Sequence, residues 1–344
     1  MYELTQVTQS GSTTESYSYD PVGNRLSSVG VPLYNYNPSN ELTSNSTGSY
    51  TYDANGNTLS DAQGRGFTWD FENRLTQVVN PGVGTTTFKY VPFGRRIYKQ
   101  SPNFTSIFVY DGVNLIESTN ASGTEVASYT QTRKIDETLA EVGGGTTDYY
   151  QADGLGSVTS LSASSGTLAN TYVYDSFGNL TNSTGTLRNP FQYTGREFDA
   201  ETGIYEYRAR YFDSSIGRFI SEDPIGFKGG IDFYAYVKNR PTRFVDPTGT
   251  CPPTEPCAPP PFFDSVSAYL VTCPCNYRGD TEKICRCLAV PFDADNTDPD
   301  FMKKCEGCYG GQKSPRAACQ CACALNPWIK EAKCNKLCKQ LPDK

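Results

Sequence analysis

Histidine is absent from all 344 residues, methionine and tryptophan occur twice each, and the first 250 residues contain no cysteine. Without imidazole, Ser-His-Asp and Cys-His catalysis are excluded, and any zinc would have to be held by cysteine. No apolar run approaches the roughly 20 residues of a membrane-spanning helix. A basic excess is missing too: 18 basic and 26 acidic residues precede position 251, and 12 basic and 11 acidic residues follow it. Neither part therefore offers the cationic face that phosphate contacts need, and no nucleic-acid partner is indicated. The opening MYELTQVTQSGS carries neither the basic region nor the apolar segment of a secretory signal, so the expectation is the end of a longer chain rather than an independently exported one.

What is present divides the chain. All 13 cysteines lie between Cys251 and Cys338, which sets a boundary near Gly249. Before it, an aromatic residue followed by turn chemistry recurs at Tyr19, Tyr36, Tyr52, Trp69, Tyr90 and Tyr110, at steps of 17, 16, 17, 21 and 20 residues. A step of that size is one hairpin. In each unit a Thr/Tyr/Val-rich strand reaches Asp or Asn, which caps a turn through its side chain. Glycine or asparagine then takes positive φ, as at Gly23-Asn24 and Gly56-Asn57, and a second strand leaves. Long helical patterns are sparse, and the strand-favouring residues argue for a mostly β array of antiparallel hairpins. Each Tyr-Asp is expected to be structural, with the ring packed on the ring of the next repeat; a ladder of sugar-stacking tyrosines is the functional competitor.

From Tyr149 the sequence reads YYQADGLGSVTSLSASSGTLANTYVYDSFGN and, from Asn189, NPFQYTGREFDAETGIYEYRARYFDSSIGRFISEDPIGFKGGIDFYAYVKNRPTRFVDPTG. In order and spacing these residues resemble the core module of the Rhs, or YD-repeat, family. The resemblance is close over 149–249 and looser over the repeats before it. It implies YD repeats over 1–148, a repeat-associated core over 149–249 and a variable C-terminal tip over 250–344, the repeats forming part of a spiralling β-shell. It further implies the C-terminal part of a polymorphic-toxin-type protein, secreted or at a bacterial cell surface and active in intercellular competition. Upstream shell repeats or an encapsulating partner would complete the shell, and a small immunity protein would bind the tip. A non-enzymatic secreted or surface scaffold with a disulfide-rich binding module is the alternative. The chain departs from the family where a His-Asp pair is usual and Gln151, Ala152, Asp153 and Gly154 stand, and again at Asp213-Ser214, where Asp-Pro is common; the first change is expected to affect local packing. A shell able to hold the tip needs many more repeats than this chain shows, so open hairpins without a closed cavity are expected.

Two Asp-Pro-x-Gly motifs end the core, with Asp223 and Asp246 separated by 23 residues. Taken alone, each spells a type I turn in which Asp caps, Pro fixes φ and Gly closes. The strand-like stretch between them could also fold back so that the carboxylates meet. They would then share a proton, activate water and protonate a leaving amide. The family resemblance implies aspartyl-type self-cleavage by Asp223 and Asp246, with Arg218 orienting a carboxylate or stabilising an oxyanion. It places the cut after Gly249, although Thr250 stands where leucine is usual. Arg208 and Arg210, in YRARYF, read as strand residues facing solvent.

The tip opens with the proline-rich CPPTEPCAPPPFF, an extended linker. Cys-x-Cys pairs follow at Cys273/Cys275, Cys285/Cys287, Cys319/Cys321 and Cys321/Cys323, with Cys305/Cys308 at closer-to-zinc spacing and Cys334/Cys338 beyond. The run NPWIKEAKCNKLCKQL predicts a short helix capped by Asn326 with Pro327 in its first turn. Disulfides are favoured over zinc, since Cys-x-Cys is less typical of structural zinc than Cys-x-x-Cys, and an odd thiol is left over. No cofactor is expected, and the tip shows no nucleophile-base set. Disulfides contribute about 2 to 4 kcal/mol each, so the tip is expected to be oxidised in its working compartment and to lose its fold on reduction. Alkylation followed by mass spectrometry checks this: thirteen freely alkylated cysteines in the native exported protein would overturn it.

Overall fold

The computed structural model describes residues 3–92 and 94–250. The tip, with its cysteines and the helix expected there, lies outside the described residues. From Gln6 to Thr184 the chain is a succession of antiparallel strands which, within each of three sheets, are hydrogen-bonded to their neighbours in sequence. Two three-stranded sheets, Gln6–Ser28 and Tyr34–Ser49, lead into a fourteen-stranded sheet that runs in strict chain order from Thr51–Tyr52 to Leu180–Thr184. These terminal strands sit at opposite edges of the sheet and are not paired with each other.

One turn design generates the succession. Tyr19, Tyr36, Tyr52, Trp69, Tyr90 and Tyr174 each pair with the residue six positions on. In most of these turns an aspartate or asparagine opens the reversal, after an aromatic at Asp20, Asn37, Asp53, Asp70 and Asp175 and after Ser60 and Ala152 at Asp61 and Asp153, and its side-chain oxygen accepts the backbone N–H groups two and four positions later; Val91, after Tyr90, opens its turn through the backbone. At Asp20, Asp53, Asp61, Asp70, Asp153 and Asp175 these bonds measure 2.9 to 3.0 Å. Asp153 keeps this geometry although the residues before it depart from the family pattern. Positive φ falls on the fourth turn residue, glycine at Gly23 and Gly56, asparagine at Asn40 and Asn73. Asn24 and Asn57 have a different task from the one expected: they are buried and donate through Nδ2, at 2.9 Å, to the second oxygen of Asp20 and Asp53. The same Nδ2 groups also reach Asn40 and Asn73 in the following turn, at 2.9 Å. A register shift beside most of these aromatics adds the local twist of a β-bulge.

The repeat aromatics are half-buried, and the polar tips of four of them bind the preceding repeat. Tyr36 donates to the Arg25 carbonyl at 2.9 Å, Tyr52 to Leu42 at 3.2 Å, Trp69 to Thr58 at 2.7 Å and Tyr90 to Leu75 at 2.6 Å. This corrects the expected ring-on-ring stacking between successive repeats, and it gives the rings a structural task in place of a sugar-binding one. Ring pairs such as Tyr52–Tyr234 and Phe88–Tyr211 instead link the array to the segment beyond residue 190.

That segment contains a four-stranded sheet: Glu197–Asp199, Ile204–Tyr207, Arg210–Asp213 and Arg218–Phe219. Tyr205, Tyr207, Phe212, Phe219 and Tyr236 form one aromatic core within it. Buried ion pairs fasten it to the array: Arg96 meets Glu197 at 2.8 Å and also Asp199, and Lys99 reaches Asp199 at 2.6 Å. Arg65 joins Asp61 to Asp213, whose Oδ1 also accepts the Ser215 amide at 2.9 Å, so the turn forms without the family's proline.

Burial pushes the Asp175 carboxyl up to about 6, with Glu15 reinforcing the shift and the turn amides and Arg25 opposing it. A carboxyl that holds its proton more tightly when folded stabilises most below its unfolded value near 3.8, and that contribution is lost as pH rises through about 6. Asp175→Asn, which still accepts both turn amides, is expected to remove this loss. The difference in unfolding free energy between variant and wild type should therefore grow in the variant's favour by about 2 to 3 kcal/mol from pH ~4 to pH ~7; denaturant titration across that range checks it, and a constant difference would contradict it.

Candidate active site

Asp223 and Asp246 each use one carboxylate oxygen for a local turn. Asp223 Oδ1 accepts the Ile225 amide at 3.0 Å, and Asp246 Oδ1 accepts the Thr248 amide at 3.2 Å and the Thr250 amide at 3.1 Å. Both motifs are thus the turns their sequences spell. Their second oxygens turn inward to a single atom: Asp223 Oδ2 lies 3.2 Å and Asp246 Oδ2 3.3 Å from Nη2 of Arg210. Each oxygen is no more than 3.3 Å from that nitrogen, so they are no more than twice that distance from one another.

Arg210 is the residue the sequence reading turned outward. It is 3% exposed, on a strand whose four residues are all buried, and its guanidinium carbon lies 3.6 Å from the centre of the Phe219 ring. Nη1 donates to the Phe233 carbonyl at 3.0 Å, and Nε donates to the Gly249 carbonyl. Arg218, assigned by sequence to the carboxylates, is directed elsewhere: Nη2 donates to the Asn40 carbonyl at 2.7 Å and meets Asp232 at 3.5 Å. Asp232 precedes Phe233, whose carbonyl accepts the Asp223 amide at 3.0 Å. Arg218 therefore bears on the centre through the backbone at 232–233.

The Gly249–Thr250 peptide is gripped at both ends, its carbonyl by Arg210 and its N–H by Asp246. Gly249 has φ +72°, and a Cβ there would stand 2.1 Å from the Tyr207 carbonyl oxygen, so only glycine lets the chain pass this close. Gly229 plays the same part beside Asp223, where a Cβ would come within 2.4 Å of Oδ2.

Burial raises the Asp223 carboxyl above its ordinary value; Arg210 opposes that shift and the Asp246 charge adds to it. Burial also lowers Arg210 from its usual value against the pull of both aspartates. Two carboxylates, one guanidinium and a peptide bond in a water-poor site are the parts of an acid-base centre with an oxyanion donor. Among the described residues no cluster of acidic or cysteine side chains is arranged to hold a metal ion, and no helix is long and apolar enough to cross a membrane.

Sequence spacing found the two aspartates and missed Arg210. The usable signal was the strand itself: RYFD lies between two other strands of an aromatic-rich sheet, where alternation does not expose every second residue.

The Teneurin YD-shell family model matches residues 2–241. Among curated proteins, the tRNA3(Ser)-specific nuclease WapA of Bacillus spizizenii is 33% identical over 265 residues, covering 72% of this chain and 11% of the relative. The double-stranded DNA deaminase toxin A of Burkholderia cenocepacia is 30% identical over 218 residues, covering 53% of this chain and 15% of the relative. Among solved structures, the TcdB2-TccC3 crystal structure superposes with a TM-score of 0.56 at 22% identity, over 68% of this chain and 13% of that one. The chain thus spans between a tenth and a sixth of the length of these relatives.

Proposed function

We propose, because this chain belongs to the Teneurin YD-shell family of Rhs/YD-repeat proteins, that it is the C-terminal part of a secreted toxin-type protein, a β-scaffold that cuts its own chain between Gly249 and Thr250. The cut frees the cysteine-rich segment as an effector, and a small immunity protein would bind that segment. Upstream repeats complete the shell. What supports the self-cleavage is one observation: the Gly249–Thr250 peptide has its carbonyl on Arg210 Nε and its N–H on Asp246, while Asp223 and Asp246 share Arg210 Nη2.

In the proposed step Asp223 takes a proton from water, and the water oxygen attacks the Gly249 carbonyl carbon. Negative charge gathers on the carbonyl oxygen facing Arg210 Nε. As the Thr250 nitrogen pyramidalises it becomes basic and takes, by way of Asp246, the proton that Asp223 drew from the water. The C–N bond breaks, giving a Gly249 carboxyl group and a Thr250 amine, and the pair returns to its starting state. Because burial raises Asp223, it is a stronger base than a free carboxylate, and the rate falls on the acid side at a pH above that of an ordinary aspartate.

Asp223→Asn and Asp246→Asn preserve size and turn capping, so each is expected to fold and stay uncut on a denaturing gel. Arg210→Gln is expected to slow the cut by about 100- to 1,000-fold, the usual cost of one oxyanion donor. Arg218→Ala, acting through 232–233, should slow it less. An intact wild-type chain, or either Asn variant cut at the wild-type rate, would reduce the motifs to turns and the protein to a scaffold.

A further inference from the structure

We infer that Arg208, held by Asp136, is a positioning residue that sets which peptide bond lies in the centre; this rests on the self-cleavage reading above. Tyr207 pairs with Arg210, leaving Arg208 and Ala209 as a two-residue turn between strands. Such turns favour glycine, asparagine or aspartate where φ is positive, yet Arg208 has φ +55°. An arginine in that conformation points to a task for its side chain.

That task is visible in the contacts of three consecutive residues. Arg208 Nη1 donates to the Pro247 carbonyl, the Ala209 amide donates to the Thr248 carbonyl at 3.2 Å, and Arg210 Nε donates to the Gly249 carbonyl. Residues 208, 209 and 210 thus take up the carbonyls of 247, 248 and 249 in register. Of the three, Arg208 also ties this ladder to the hairpin array. Its guanidinium meets both oxygens of Asp136, at 3.1 and 2.7 Å, and the Val113 carbonyl at 3.3 Å. Asp136 and Val113 lie in the connections that follow strands Glu125–Gln131 and Thr105–Asp111. Arg196 also binds Asp136, at the Oδ1 that Arg208 Nη2 meets, and it binds Glu206 at 2.6 Å, so Asp136 is itself fixed. The two arginines outweigh the effect of burial and hold the Asp136 carboxyl below its usual range.

Loss of the Arg208 anchor leaves two of three rungs and permits a one-residue slip. Arg208→Asn keeps the turn, because asparagine accepts positive φ, and removes the reach. Arg208→Lys supplies a charge without the planar fork and should restore the function only in part. In the full chain, Arg208→Asn and Asp136→Asn are expected to slow the cut at least tenfold, and mass spectrometry of the products should find ends on both sides of Gly249–Thr250. A merely structural role would lower melting temperature without moving the cut. Cleavage of Arg208→Asn at the wild-type rate and at the single wild-type bond would overturn the inference while leaving self-cleavage intact. If wild type is never cut, hydrogen exchange still decides. In the Asp223→Asn background, Arg208→Asn should speed exchange of the Thr250 amide at least tenfold, and unchanged protection there would overturn the anchoring itself.

Discussion

In turn after turn of this protein, one carboxylate oxygen gathers the backbone amides of a tight reversal and the other stays available. A carboxylate accepts several hydrogen bonds, and a five-residue loop uses only part of that capacity. What the spare oxygen binds decides what the turn becomes. At Asp20 and Asp53 it takes the asparagine that closes the same loop. At Asp61 and Asp70 it takes an arginine, and through Arg65 the first of these reaches Asp213 on the far segment. At Asp223 and Asp246 the spare oxygens converge on Arg210. The candidate centre reuses the turn that builds the array, in full at Asp246 and in part at Asp223, with both spare oxygens facing one cation.

Charge also governs how the array holds the segment after residue 190. Arg96 is 1% exposed and meets Glu197 and Asp199, and Lys99 shares Asp199. Buried pairs of this kind add little net stability compared with apolar packing, but losing one partner commonly costs about 3 to 5 kcal/mol. They therefore act mainly as a register: the segment fits the hairpins in the alignment that brings Arg65, Arg96 and Lys99 to their carboxylates. The aromatic cluster around Tyr207, Phe212 and Tyr236 supplies the bulk of the burial.

The hairpin array was legible because its signal is local. Aromatic, Asp or Asn, and glycine stand within a few residues of one another, and each has a conformational reason to be there. Asp223 and Asp246 were legible for the same reason. Arg210 was not, because a strand's alternation distinguishes two faces without saying that both are covered, and RYFD is buried on each. Arg218 drew the assignment through the family resemblance, while the fold sends it to Asp232. The partnership of Arg208 with Asp136 spans 72 positions of chain and has no local signature at all. The task of Asn24 and Asn57 was nearly visible, since each stands four residues after its aspartate, the spacing at which the loop closes.

The repeat side chains also give the array a direction. Tyr36, Tyr52, Trp69 and Tyr90 each donate to a carbonyl earlier in the chain, and Gln131, Tyr174 and Tyr193 do the same at 2.9 Å to Leu115, Val158 and Ser176. Each of these seven donors points back toward the N-terminus, whereas the Nδ2 groups of Asn24 and Asn57 reach forward. A chain made from the N-terminal end therefore presents each of the seven with its acceptor already synthesised, and the forward contacts close when the next turn forms. At these seven joints assembly is polar, like laying shingles in one direction: the earlier edge carries a finished carbonyl, and the later side chain closes the joint.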